Sequence, residues 1–155
     1  DGDRAAGRRL GGEGDAAGGD HRGRGGIAEQ GGQPEAGAPE IERDLELALV
    51  GDTEDTLTER QIPYETGIAR YKEMARGSIL GDELGMMKIL FHRETQQLLG
   101  VHIIGESATE IIHTGQAVIH LKGGLDYLMS CVFNNPTLSE MYKVAALDGL
   151  NKIRA

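Results

Sequence analysis

The chain is expected to fold as an α+β domain, an antiparallel sheet with helices packed on one side, on three observations. Met86 to His92 and Leu98 to Ile104 each alternate apolar with polar residues, and the polar run Arg93 to Gln97 between them makes the pair a hairpin. Two helical apolar patterns follow, one beginning near Ala108 and one near Leu138. An extended segment, Ile62 to Tyr71, comes before the hairpin, and strands followed by helices is the order of an α+β domain.

Taken from the N-terminus, residues 1–40 hold more than half of the 24 glycines and almost no large apolar side chains beyond Leu10 and Ile27. Such a segment buries too little surface to offset the entropy of ordering, so a disordered tail is expected there and a folded domain over 41–155. Near Ile41 the composition changes. Leu45, Leu47, Leu49 and Val50 then alternate with Glu46 and Ala48 as a strand or a short helix. Thr53 is placed to cap a brief helix ending near Arg60, and Pro63 suits the start of an edge strand. Met74 to Leu80 is ambiguous in its pattern. Ser107 with Glu110 forms a capping-box pattern ahead of Ala108, Ile111, Ile112, Val118 and Ile119, and Gly123-Gly124 offers a left-handed stop near Lys122. A short helical turn over Leu125 to Val132 leads to Phe133-Asn-Asn-Pro-Thr-Leu-Ser-Glu140. There Pro136 pushes Asn135 out of the helical region, and Thr137 with Glu140 starts the last helix. That helix carries Leu138, Met141, Tyr142, Ala145 and Leu150, and the pair Ala145-Ala146 would let another backbone approach closely.

Composition narrows the function. A net charge of -9 speaks against general nucleic-acid binding, which needs an excess of basic residues. One cysteine, Cys131, allows no intrachain disulfide, and with no signal peptide and no membrane-spanning apolar run the expected location is the cytoplasm, with no membrane partner.

Several candidate sites fail on geometry. Gly12-Glu-Gly14-Asp-Ala-Ala17 fits a loose dinucleotide pattern but has no strand before it and no helix after it. His21-Arg-Gly-Arg-Gly-Gly26 is one short arginine-glycine copy among several acidic residues. His113 and His120 share a helical face but stand about 10 Å apart along the axis, too far for one ion, so no metal is expected. His92 and His102 are expected as cross-strand neighbours kept for packing. Cys131 lies in an apolar stretch with nothing to lower its pKa and is expected in the core. Asn135 cannot accept a proton near neutral pH, so general-base catalysis from this turn is not supported, and capping is a sufficient role for Glu140.

From about Gly51 onward the chain resembles the C-terminal dimerisation domain of the flavin-dependent pyridine nucleotide disulfide oxidoreductases, the group that contains lipoamide dehydrogenase and glutathione reductase. The likeness rests on Lys88-Ile-Leu-Phe-His-Arg-Glu-Thr95, Leu99-Gly-Val-His102, Gly105-Glu106, Glu110-Ile-Ile-His113, Gly115-Gln-Ala117, Asn135-Pro-Thr137 and Tyr142-Lys-Val-Ala-Ala-Leu-Asp-Gly-Leu-Asn151. In dithiol members of the family a His precedes the Pro-Thr pair and a Glu five residues on orients it. Here those positions are Asn135 and Glu140. The resemblance therefore implies a member that has abandoned thiol chemistry, a transhydrogenase passing hydride from NADPH through FAD to NAD.

The same resemblance implies a homodimer in which the helix Ala108 to Lys122 and the final helix supply the contact, with His113, Gln116, His120 and Tyr142 at the interface. It places Asn135, Pro136, Thr137 and Glu140 near the partner's flavin. FAD and NAD(P) are expected in the parent enzyme; no FAD-binding or NAD-binding domain precedes the resemblance, so the isolated chain is expected to bind neither cofactor and to be inactive. Residues 1 to about 48 carry none of the family pattern, and their Gly, Ala, Arg and Asp richness is what GC-rich codons give in a shifted reading frame. Two rival readings are a stand-alone, non-catalytic dimerisation module and a domain of another flavoprotein disulfide reductase.

Overall fold

In the computed structural model, residues 45–155 are described; the disordered tail expected over residues 1–40, and all but the last four residues of the stretch to about 48 read as a shifted frame, lie outside them. The elements run β1 (Glu46–Gly51), α1 (Glu54–Glu59), β2 (Tyr64–Arg70), a 3-10 turn (Tyr71–Glu73), α2 (Ala75–Leu80), β3 (Met86–His92), β4 (Leu98–Gly105), α3 (Ala108–His120), α4 (Leu125–Ser130), a second 3-10 turn (Leu138–Glu140) and α5 (Met141–Arg154). The two segments that periodicity left open are thus settled, 46–51 as strand and 75–80 as helix. The sheet has four strands in the order β1-β4-β3-β2, antiparallel throughout, with the expected hairpin at its centre and an irregularity at Leu90/Phe91. β2 is an edge strand, and Pro63, which lacks an N–H, stands just before it.

Both long helices lie on one face, α3 against β1 and β4 and α5 against β2 and β3. Met87, Ile89, Phe91, Val101 and Ile103 point into that layer and meet Ile111, Val118, Met141, Tyr142 and Ala145 in one cluster. Small residues set the spacing of α5. A Cβ at Gly67 would lie 1.9 Å from the Ala145 carbonyl oxygen, so the close backbone approach expected at Ala145-Ala146 occurs there. The other face is covered locally by α1: Leu57 and Leu90 are fully buried outside the main cluster, and Glu54 pairs with Lys88 beside them. Thr53 caps α1 as expected, its hydroxyl oxygen accepting the Thr56 N–H at 3.2 Å. In β1 it is Ala48 that faces the core, while Leu45, Leu47 and Leu49 are 62%, 63% and 54% exposed, so the larger apolar residues of this strand look away from the helices.

Local signals gave way to tertiary partners at several points. The Ser107–Glu110 capping box does not form: Ser107 has φ 62 and makes no side-chain cap. The N-terminus of α3 is capped instead from β1, where Glu46 Oε2 accepts the Thr109 N–H at 2.8 Å and the Thr109 hydroxyl at 2.6 Å. These bonds, with the Thr109 hydroxyl first, hold the Glu46 carboxyl below its ordinary value. α3 ends at His120, and its left-handed stop is Lys122 with φ 54, not a glycine, while the Gly123 N–H closes onto the Val118 carbonyl at 2.8 Å. α4 stops at Ser130, so Cys131 is extended and only half-buried, a correction to its expected place in the core. Its carbonyl accepts Lys143 Nζ at 3.2 Å.

His92 and His102 are not neighbours. His92 stands opposite Tyr64, and its Nδ1 accepts the N–H groups of Glu94 and Thr95 at 3.2 and 3.3 Å, which shapes the hairpin turn. His102 stands opposite Lys88 on one side and Leu49 on the other, with its Nε2 buried and unpartnered. The pairing fails because Phe91, next to His92, is already opposite Leu98, four residues short of His102.

The edge of β2 is guarded by α5. Asp148 Oδ2 accepts the Ile68 N–H at 2.8 Å, Lys152 Nζ donates to the Thr66 carbonyl at 3.1 Å, and the two side chains pair at 2.7 Å. Backbone groups that a foreign strand would use are therefore occupied. Asp148→Ala is expected to cost about 1 kcal/mol in urea unfolding and to raise light scattering on heating. A second expectation concerns pH. Burial, followed by the nearby Lys88 charge, pushes His102 below its ordinary value near 6.5, so protonation favours the unfolded chain; its stabilising neutral form is complete above that value and stability falls as pH drops below it. The urea midpoint should therefore fall between pH 7.5 and 5.5, and less so in His102→Leu.

Candidate functional site: the Asn-Pro turn

The segment between α4 and α5 carries the polar residues singled out by sequence. Val132 is 91% exposed, Phe133 turns inward to stack on Tyr142 with ring centroids 6.3 Å apart, and Asn134, Asn135 and Pro136 are exposed. The Asn135–Pro136 peptide bond is cis. The Thr137 hydroxyl donates to the Asn134 carbonyl at 2.7 Å and closes the loop. The Thr137–Glu140 capping box forms as expected, although it opens a 3-10 turn that then continues into α5.

Glu140 uses both carboxylate oxygens on this loop. Oε1 accepts Asn135 Nδ2 at 2.8 Å, and Oε2 accepts the Thr137 N–H at 3.4 Å. The acidic group thus orients the amide. With one N–H tied down, Asn135 presents its carbonyl oxygen and second N–H outward, a pair of hydrogen-bonding groups with no proton to lose or gain near neutral pH. The arrangement can position a polar ligand edge; it cannot serve as a general base. Beside it an open cavity of about 350 Å³ is lined by Pro136, Thr137 and Leu138 of the turn with Arg76, Ser107 and Ile111.

Of the four residues expected at the subunit contact, three lie on the surface. His113, Gln116 and His120 are exposed on α3, and His113 Nδ1 bonds the Gln116 side-chain oxygen at 3.1 Å. Tyr142 is a correction. It is fully buried, because its ring fills the space between α3 and α5 and its hydroxyl is taken up by α3: the Gly115 N–H donates to it at 2.9 Å and it donates to the Ile111 carbonyl at 2.9 Å. Burial pushes that hydroxyl well above its ordinary value, so it stays neutral. The one signal for this role in the sequence was scarcity: Tyr142 is among four Tyr and two Phe in the chain and falls next to the turn. Among the described residues, no group of three or more His, Cys, Asp or Glu side chains could hold a metal ion, and no helix is long and apolar enough to cross a membrane.

The domain is thus an antiparallel sheet backed by two helices, with a cis-proline turn held by a glutamate at the head of the last helix. Residues 42–146 match the model of the pyridine nucleotide-disulphide oxidoreductase dimerisation domain, and the chain belongs to that family. It is 57% identical over 110 residues to a protein of Mycobacterium tuberculosis described as soluble pyridine nucleotide transhydrogenase, and 50% identical over 111 residues to one of Escherichia coli with the same description. These alignments cover 71% and 70% of this chain and 24% of each relative, so the chain spans about a quarter of their length. Among solved structures it resembles LpdA of Mycobacterium tuberculosis (TM-score 0.62, 20% identity, 68% of this chain and 24% of that one). It likewise resembles the HOCl-induced flavoprotein disulfide reductase RclA of Escherichia coli (TM-score 0.62, 22% identity, 65% and 23%). Those two likenesses are of fold.

The carboxylate bonds make a direct prediction. Glu140→Ala releases Asn135 and uncaps Thr137 together, and should cost about 1 kcal/mol in denaturant unfolding while sharpening proteolysis within 133–140. Glu46→Gln should lower the melting temperature at pH 7, and the difference from the unaltered chain should begin to shrink as pH falls below the ordinary value of 4.5 and vanish only below the lowered value of the folded Glu46 carboxyl.

Proposed function

We propose that this chain is the dimerisation portion of a soluble NAD(P) transhydrogenase that moves hydride from NADPH to NAD through FAD. The observation that carries this reading is the Asn135–Glu140 pair. An amide stands where a dithiol enzyme of the family would place a base, and Glu140 orients it by the 2.8 Å bond. Identity of 50% to 57% with proteins described as soluble pyridine nucleotide transhydrogenases supports the same choice.

In this reading the exposed α3 face with His113, Gln116 and His120 meets its own copy in a homodimer, and the turn of Asn135, Pro136 and Thr137 stands near the partner's flavin. FAD, when bound, accepts hydride from one nicotinamide and delivers it to another. The residues of this chain contribute position: the outward carbonyl and N–H of Asn135 suit the polar edge of a heterocycle, and neither removes a proton from a thiol. FAD and both nucleotides would be held by parts of the enzyme outside this chain, and the compartment would be the cytoplasm.

Two measurements test it. In the complete flavoenzyme, NADPH should reduce a thio-NAD acceptor while lipoamide and glutathione disulfide go unreduced; turnover of either disulfide would move the protein to the disulfide reductases. For the chain itself, sedimentation should show a dimer, and Gln116→Arg, which places like charges across a two-fold contact, should weaken it by more than about tenfold.

A further inference from the structure

Tyr142 joins α3, far away in sequence, to the segment that carries the Asn-Pro turn. It is the second residue of α5, two residues after Glu140, which holds Asn135. Its ring stacks on Phe133 at an interplanar angle of 17°, so it also grips the entry to the Asn-Pro turn. Its hydroxyl reaches into α3 and bridges the Gly115 N–H and the Ile111 carbonyl, the two groups that ordinary i to i−4 helical pairing would join to each other. Only a residue without a side chain admits the hydroxyl there: a Cβ at Gly115 would lie 2.9 Å from that oxygen and 2.7 Å from Val101 Cγ2.

A side-chain hydroxyl at one rung of a helix is a recognised cause of local bending. Gly115 lies between His113 and Gln116, so the bridge sits under the exposed face of α3 proposed above as the subunit contact. We infer that Tyr142 is a positioning residue that couples the outward face of α3 to the Asn135–Glu140 pair, so that subunit contact and turn geometry are set together. This rests on the homodimer reading for its consequence in the assembled enzyme. The link inside one chain stands on the bonds and the ring stack alone. It also explains why a polar aromatic is used at a fully buried place where Phe would fill nearly the same volume.

The test is Tyr142→Phe in the 155-residue chain. Phe keeps the stack on Phe133 and removes only the hydroxyl from Gly115 and Ile111, so the variant should fold with its melting temperature within a few degrees of the unaltered chain. Two readouts report coupling, neither of which a filler of core volume would move. The side-chain amide resonance of Asn135 should shift, and self-association measured by sedimentation should weaken by about tenfold or more. Should the Asn135 resonance and the dissociation constant both stay unchanged, Tyr142 is a packing residue and the inference is wrong. If the unaltered chain is a monomer, the homodimer reading fails, and the Asn135 resonance still decides the coupling by itself. Gly115→Ala, which keeps Tyr142 but displaces its hydroxyl from α3, should also shift the Asn135 resonance; a shift in Tyr142→Phe with none in Gly115→Ala would overturn the bridge as its cause.

Discussion

α5 rests on the sheet at backbone distance. With Ala145 against Gly67 and Gly149 against the Phe91 ring, the helix axis cannot lift by the width of one methyl group without losing the contact. That spacing lets Asp148 and Lys152 reach the edge of β2, brings Tyr142 within reach of α3, and puts the first turn of α5, with Glu140, beneath the Asn-Pro turn. These polar contacts of α5 are consequences of where a helix lined with small residues comes to rest.

The polar bonds at the helix ends divide by range. Thr53 and the Thr137–Glu140 pair act within a few residues of themselves, and both sit where such local caps are favoured. α3 is different. Its start is stabilised by Glu46, 63 residues earlier in the chain, and its middle by the Tyr142 hydroxyl, 27 residues after Gly115. A helix whose ladder and terminus depend on two other elements is tied to the assembly of the whole sheet, which suits the subunit contact proposed for its outer face.

The chemistry of the turn follows from what Glu140 can and cannot do. Beside a histidine, a carboxylate stabilises the protonated ring and tunes a base. Beside an asparagine amide it only fixes direction, because the amide exchanges no proton in the working range. One residue choice at position 135 thereby separates acid-base chemistry from positioning while the scaffold stays the same, and the proposed function rests on that distinction.

Much of this domain was legible in the chain itself. Alternation at 86–92 and 98–104 made a hairpin because period-two burial needs no partner beyond the next strand, and the 137–140 cap was readable because its donor and acceptor lie three residues apart. The family likeness and the special character of Asn135 were carried by short motifs of the same kind. What the sequence could not disclose were the contacts made across long separations. Ser107 looked like a cap and lost the role to Glu46; Gly123 looked like a stop and lost it to Lys122; Cys131 looked buried and is half-buried; His92 and His102 looked paired and face other partners. Tyr142, expected at the dimer interface, is buried against α3 with its hydroxyl on Gly115 and Ile111. Local pattern governs which backbone shape a segment prefers, whereas the partner of each polar group is decided only when the layers close and an unpaired donor or acceptor must be satisfied by whatever lies nearest.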